Sequence, residues 1–167
     1  MYKYIMNKLV GITSDYDLKV ICANNNIKLN AVVMKDKLKN ITKKASYSIV
    51  CNLQSSSRGN GTHWVALYKK NKNSDVLYFD SFGGMPPKEV LKYKMKNRMQ
   101  YSNFISQHID SDECGMYCVA FLHYLQKNTG DITENYNDFI NIFLHDTTKN
   151  DNQLYKYLKL YKININV

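Results

Sequence analysis

Between residues 47 and 79 the chain carries three short runs of β-branched and aromatic residues, each closed by turn-forming residues. Tyr47 to Leu53 (YSIVCNL), His63 to Tyr68 (HWVALY) and Val76 to Phe79 (VLYF) read as strands. Ser55 to Gly61 (SSSRGNG) is the loop before the second run, and the turn-like Lys69 to Ser74 joins the second and third as a hairpin. Strands this apolar need cover. The strongest helical pattern is Cys114 to Lys127, where Cys118, Phe121, Leu122 and Leu125 recur on one face.

The rest of the chain supplies further cover. Thr13 or Ser14 caps a first helix to about Cys22, with Asp15 and Asp17 at its positive end, and Asn24 to Asn26 breaks it. Residues 27 to 40 read as a short irregular stretch and then a turn of helix. Phe82 to Pro87 is a turn, and Pro87 suits the first position of a helix to about Arg98. Asn103 to Gln107 is a short strand candidate; Thr133 to Leu144 and Asn152 to Tyr161 read as two more helices. The order of elements is that of an α+β protein with a central sheet flanked by helices. A length of 167 residues fits one domain, 1–167.

No apolar run approaches the roughly 20 residues that span a bilayer, so no membrane partner is expected. Met1 to Val10 lacks the apolar stretch and cleavage site of a secretory signal, which points to a protein that is not secreted. Four cysteines, Cys22, Cys51, Cys114 and Cys118, form no CxxC pair and no zinc spacing with the histidines. They are expected as reduced thiols, with no metal. The net charge is +9, and all basic residues except Arg58 and Arg98 are lysine. Lysine suits diffuse attraction to a polyanion better than base readout. The runs at 35–39, 88–98 and 156–162 either follow a phosphate backbone or are solvated helix faces.

Three residues fall where elements end. His63 opens a strand after a Gly-rich loop, Asp80 closes the next strand, and Cys114 starts the strongest helix, followed by Gly115. A helix N-terminus stabilises a thiolate, which is the reactive form of cysteine. A histidine within reach can take the thiol proton and later give it to a leaving amine. A carboxylate behind the imidazole fixes its tautomer. Antiparallel pairing brings His63 and Asp80 to one edge of the sheet. Gln107, across the polar loop 108–113 from Cys114, can turn its side-chain N–H toward the cysteine and join the Cys114 N–H in an oxyanion hole. Gly115 would allow close approach of a substrate backbone. Each residue alone has an ordinary structural explanation: small core cysteine, structural histidine, turn aspartate. The ordered set His63, Asp80, Gln107, Cys114 is hard to obtain by accident. His108 is a weak rival base; His123 and His145 lack such company.

These residues sit in blocks (GTHWVAL, YFDSFG and QHIDSDECGMYC) that resemble the signatures of adenoviral-type (adenain-like) maturation cysteine proteases, relatives of the ubiquitin-like-protein proteases. The versions in virophages and polinton-type transposons are the most similar, over about residues 47 to 125. The resemblance implies a papain-like fold in permuted order, with the cysteine last. It implies Cys114 as nucleophile, His63 as general base and acid, Asp80 as orienting acid and Gln107 as oxyanion donor. Trp64 then lines a narrow substrate groove suited to glycine, although an aromatic strand residue is also ordinary core.

The function implied is a cysteine endopeptidase that cleaves viral capsid precursors during virion maturation, acting as a monomer in the virion and the host-cell interior. No cofactor is required, and DNA is an open candidate for activator. The alternative is an isopeptidase for ubiquitin-like proteins. One departure stands out: no cysteine lies between Cys51 and Cys114, so the disulfide-tethered activator of adenoviral enzymes has no equivalent anchor here.

Overall fold

In the computed structural model, residues 11–167 are described, and the segment Met1 to Val10 read for a secretory signal lies outside them. Five strands form one mixed sheet in the order β1-β2-β3-β4-β5. They are β1 (Ala31–Met34), β2 (Tyr47–Asn52), β3 (Trp64–Lys69), β4 (Val76–Phe79) and β5 (Met99–Tyr101). The central pairs β2–β3 and β3–β4 are antiparallel, as the hairpin reading requires, and the two edge pairs are parallel. The helices are α1 (Asp15–Asn24), α2 (Lys88–Tyr93), α3 (Cys114–Lys127), α4 (Ile132–Ile140) and α5 (Asn150–Leu160). Among them none is long and apolar enough to cross a membrane.

The apolar runs are explained by burial on both faces. Every residue of β2, β3 and β4 is buried. Alternation sends Val50, Trp64, Ala66, Tyr68, Leu77 and Phe79 to the face covered by α1, α3, α4 and α5. Ile49, Cys51, Val65, Leu67, Val76 and Tyr78 face the other side, under Leu38, Val90 and Tyr93. Phe121 of α3 stacks on Phe79 at 4.9 Å between ring centroids and meets Phe139 of α4 edge-on at 5.5 Å. This aromatic contact locks the helix carrying Cys114 to the strand that leads into Asp80.

Several boundaries differ from the sequence reading. β3 starts one residue later, at Trp64, so His63 precedes it. Residues 31–34, expected to be irregular, form β1 by pairing with β2; the expected turn of helix follows as a 3-10 helix at Lys35–Asn40. The strand expected at Asn103 to Gln107 is instead at Met99–Tyr101, a three-residue edge strand held by parallel pairing with β4. Residues 103–107 are irregular because Ser106 and Gln107 both donate their backbone N–H to the Ser81 carbonyl, at 2.8 and 2.9 Å. Helix α2 ends at Tyr93, not Arg98: Met95 takes a left-handed conformation, φ 56°, and turns the chain into β5. Pro87 is its N-cap rather than its first residue.

Helix α4 stops at Ile140 because the next bonds reach back three residues, Ile142 to Phe139 and Phe143 to Ile140. The Asn150 side chain then holds Leu144 by both its N–H and its C=O, at 2.8 Å each. Helix α5 starts at Asn150, two residues before the expected start. Ser14 caps α1 in a capping box with Asp17.

Truncating the central ring tests the packing between helix and sheet. Phe121→Ala is expected to lower unfolding stability by about 3–5 kcal/mol, measured by urea denaturation; a loss under about 1 kcal/mol would show that the aromatic cluster does not hold α3 in place.

Candidate active site

His63 is set by the loop before it as much as by β3. The Leu53 N–H donates to the His63 carbonyl at 2.9 Å, which extends the β2–β3 ladder by one rung. The intervening loop is braced by two side-chain amides. Asn52 Oδ1 accepts from the N–H groups of Gln54 and Thr62, at 2.9 and 3.1 Å. Gln54 accepts from the Gly61 N–H at 2.7 Å and donates to the Arg58 carbonyl at 2.8 Å. Gly61 has φ 113°, and a Cβ there would lie 2.5 Å from Asn52 Nδ2, so the brace needs glycine at that position.

Asp80 follows β4 at the same edge. Its Oδ1 lies 2.7 Å from His63 Nε2 and also accepts the Phe82 N–H at 2.8 Å. The Phe82 ring packs on the imidazole at 4.8 Å. Gly84 leaves room for the other carboxylate oxygen, since a Cβ there would sit 2.6 Å from Oδ2. An ionised carboxylate only accepts, so the proton of His63 Nε2 points at Asp80. That leaves Nδ1, which is buried and closed by no hydrogen bond, as the nitrogen available to a thiol.

The electrostatics favour a charged imidazole. Burial alone pushes the His63 pKa down, but the hydrogen bond and charge of Asp80, with the Cys114 sulfur adding to them, outweigh it and raise the value to about 9. A cation at His63 is thus held between a carboxylate and a sulfur.

Cys114 is the first residue of α3, at its positive end, and is half-buried. All four cysteines are free, but the other three are buried in the core. Burial pushes the thiols of Cys22 and Cys51 up to about 12 and that of Cys118 well above its ordinary value. They are inert core residues. Glu113, the N-cap, is buried, and its carboxylate accepts the Gly11 N–H at 2.9 Å, which ties the chain before α1 to the start of α3.

Gly115 does not lie where the sequence reading put it. Its missing side chain faces inward, where a Cβ would meet Thr13 Oγ1 at 2.0 Å and Leu18 at 3.2 Å. Its smallness serves the packing of α1 against α3, not the approach of a substrate. Trp64 is buried, and its indole N–H donates to the Thr13 carbonyl at 3.0 Å. Gln107 is buried in the irregular segment, with Nε2 donating to the Ser111 carbonyl at 2.7 Å and Oε1 accepting from the Ser81 hydroxyl at 2.6 Å.

These side chains share one cleft of about 840 Å³, bordered by His63, Trp64, Phe82, Gln107 and Cys114 on one side and by Thr13, Met34 and Gly59 to Gly61 on others. The structure therefore brings together His63, Asp80, Gln107 and Cys114, with Trp64 in the wall. It does not bring in the other histidines. His123 bonds to the Tyr157 hydroxyl at 2.7 Å, His145 packs on Phe104, and His108 sits beside Asp110. Sequence reasoning missed Ser81, Asn52 and Ser111; the adjacency of Ser81 to Asp80 was the only signal for any of them. Chemically, the cleft offers a sulfur nucleophile at a helix N-terminus, an imidazolium that can hold its proton and later donate it, and two N–H sources, from Cys114 and Gln107, for a developing oxyanion.

Comparison with known proteins places the fold. Two crystal structures of the ASFV pS273R protease align with TM-score 0.60 and 16% identity, covering 91% of this chain and 68% and 67% of theirs. The central domain of an uncharacterised Legionella pneumophila protein aligns with TM-score 0.50 and 15% identity, covering 91% of this chain and 97% of that one. No family model and no curated protein matches the sequence. The chain has a papain-like α+β fold, similar to that of the ASFV pS273R protease.

The raised pKa of His63 has a stability consequence. An unfolded histidine titrates near 6.5 and the folded one near 9, so the native state holds the proton more tightly. The resulting stabilisation is complete below pH 6.5 and lost as pH rises through 9. Titration of the His63 ring by NMR should give a midpoint near 9, and Asp80→Asn should lower it and flatten the fall in stability above pH 6.5. A midpoint below 6.5 in the unaltered protein would reject the charged imidazole.

Proposed function

We propose that this chain is a cysteine endopeptidase. The observation that carries the reading is the His63–Asp80 pair at 2.7 Å, with the free Nδ1 of the same ring left for Cys114 across a shared cleft. In this reading His63 already holds the proton that Cys114 Sγ has given up, and the resulting thiolate attacks the substrate carbonyl carbon. The carbonyl oxygen takes the negative charge and faces the Cys114 N–H and the Gln107 amide. The adduct collapses as His63 protonates the leaving amine, giving a thioester. A water that loses its proton to His63 then attacks the thioester, releases the acid and restores the thiol. Asp80 stabilises the imidazolium throughout.

The substrate we assign is a viral capsid precursor cut beside glycine, processed during virion maturation inside the virion or host cell. The likeness to a viral protease fold and the blocks around His63, Asp80 and Cys114 support this, as does a cleft walled by Trp64 and the Gly59 to Gly61 loop. The enzyme acts as a monomer without a metal or organic cofactor. DNA is its candidate activator. A second cleft of about 750 Å³, at the opposite end of β2 and β3, is bordered by Lys28, Lys44, Lys70 and Lys127, with no acidic side chain in its lining. Together with the net charge of +9, it suits a phosphate backbone.

Mass spectrometry of a capsid protein from the same genome, co-expressed with the wild type or Cys114→Ala, tests the reading. Cleavage by the wild type and a loss of more than about a thousandfold in the variant, with thermal unfolding unchanged, is the expected outcome. Equal cleavage by both would refute the assignment of Cys114. An intact capsid protein together with processing of a general peptide library would refute the substrate but not the chemistry.

A further inference from the structure

The peptidase reading makes Gln107 an oxyanion donor, and on that basis we propose that Ser81 and Asp151 are positioning residues for its amide. A carbonyl oxygen can only accept, so the end of the Gln107 amide 2.7 Å from the Ser111 carbonyl must be the NH2 group. Oε1 then faces Ser81 Oγ at 2.6 Å, and the hydroxyl donates. Ser81 is fully buried, and its own carbonyl accepts the backbone N–H of both Ser106 and Gln107. It therefore grips Gln107 by main chain and side chain at once. One hydrogen of the NH2 group goes to Ser111, and the other remains for the cleft that Gln107 borders.

The Ser111 carbonyl is only as steady as its loop, which runs through the largely solvated residues 108–112. Asp151, in the first turn of α5, steadies it. Ser111 Oγ donates to Asp151 Oδ1 at 3.0 Å and accepts the Glu113 N–H at 3.3 Å, directly before Cys114. Tyr117 of α3 donates to the same Asp151 oxygen at 3.1 Å. Burial, with the Asp151 carboxylate adding to it, pushes the Tyr117 phenol far up, so it stays protonated and remains a donor. Asn150 donates to the Ser106 carbonyl at 2.8 Å from the same helix end. The start of α5 thus fixes both the seat of the Gln107 amide and the turn that presents the Cys114 N–H. Two donors on separate segments are aligned by one carboxylate from the C-terminal helix.

The test uses an acyl-Gly-Gly-aminomethylcoumarin peptide as substrate and iodoacetamide as a probe of the Cys114 thiol. Ser81→Ala and Asp151→Leu are expected to lower kcat about tenfold or more with KM little changed, because a donor is misplaced rather than removed. Asp151→Asn, which keeps an accepting oxygen, should stay within about threefold of the wild type. Alkylation of Cys114 should keep its wild-type rate in all three, since Gln107 takes no part in forming the thiolate. In a Gln107→Ala background, Ser81→Ala should cost nothing further.

An unchanged kcat in Ser81→Ala and Asp151→Leu would overturn the proposal. So would a Ser81→Ala loss that persists without Gln107, or alkylation that falls in step with kcat, since either marks a general structural effect. Should Ser81→Ala fail to fold, the contrast between Asp151→Leu and Asp151→Asn decides. A wild type that alkylates at Cys114 yet cleaves no peptide rejects the peptidase reading itself, and this proposal with it.

Discussion

A sulfur and an imidazole carried by different elements can be matched only where the packing between those elements allows no slip. Here the match rests on α3 lying across β3 and β4, with Phe121 stacked on Phe79 and Phe139 closing the ring pair from the side. The antiparallel register Ala66↔Phe79 then sets the strand ends that carry His63 and Asp80. Neither the histidine nor the cysteine chooses its own position. Both inherit it from an apolar core formed by residues with no polar chemistry.

Charge at the site runs on a different scale from charge on the whole molecule. The net surplus of lysine is a surface property, while the cleft is governed by one carboxylate, one imidazole and the dipole of a helix. Burial sorts the thiols in the same local way. Cys118 lies one turn along α3 from Cys114 and faces the core, where its ionisation is suppressed. A single helical turn separates a packing residue from a candidate nucleophile, and the difference lies in solvent access and the helix end rather than in residue type.

The hairpin, α3 and the four residues His63, Asp80, Gln107 and Cys114 were legible because each lies in, or at the end of, a run with a strong local pattern. What the sequence concealed depends on partners distant along the chain. β1 and β5 are three or four residues long and exist as strands only through pairing with β2 and β4. Helix α2 ends early at a left-handed methionine that no propensity scale would flag. Gly115 reads as an opening for a ligand until Thr13, a hundred positions upstream, is seen to occupy the space. Ser81 and Asp151 are ordinary polar residues until the fold brings the loop between Gln107 and Cys114 against them.

The indole of Trp64 is the sole tryptophan of the chain. It is buried in the wall of the cleft, with its N–H on the Thr13 carbonyl. The same segment is anchored at Gly11 to the residue preceding Cys114. The protein therefore contains an intrinsic optical reporter whose emission answers to the polarity of one place. A shift in its fluorescence reads occupancy of the groove, or loosening of the strap that borders it, with no label attached and no background from a second fluorophore of its kind.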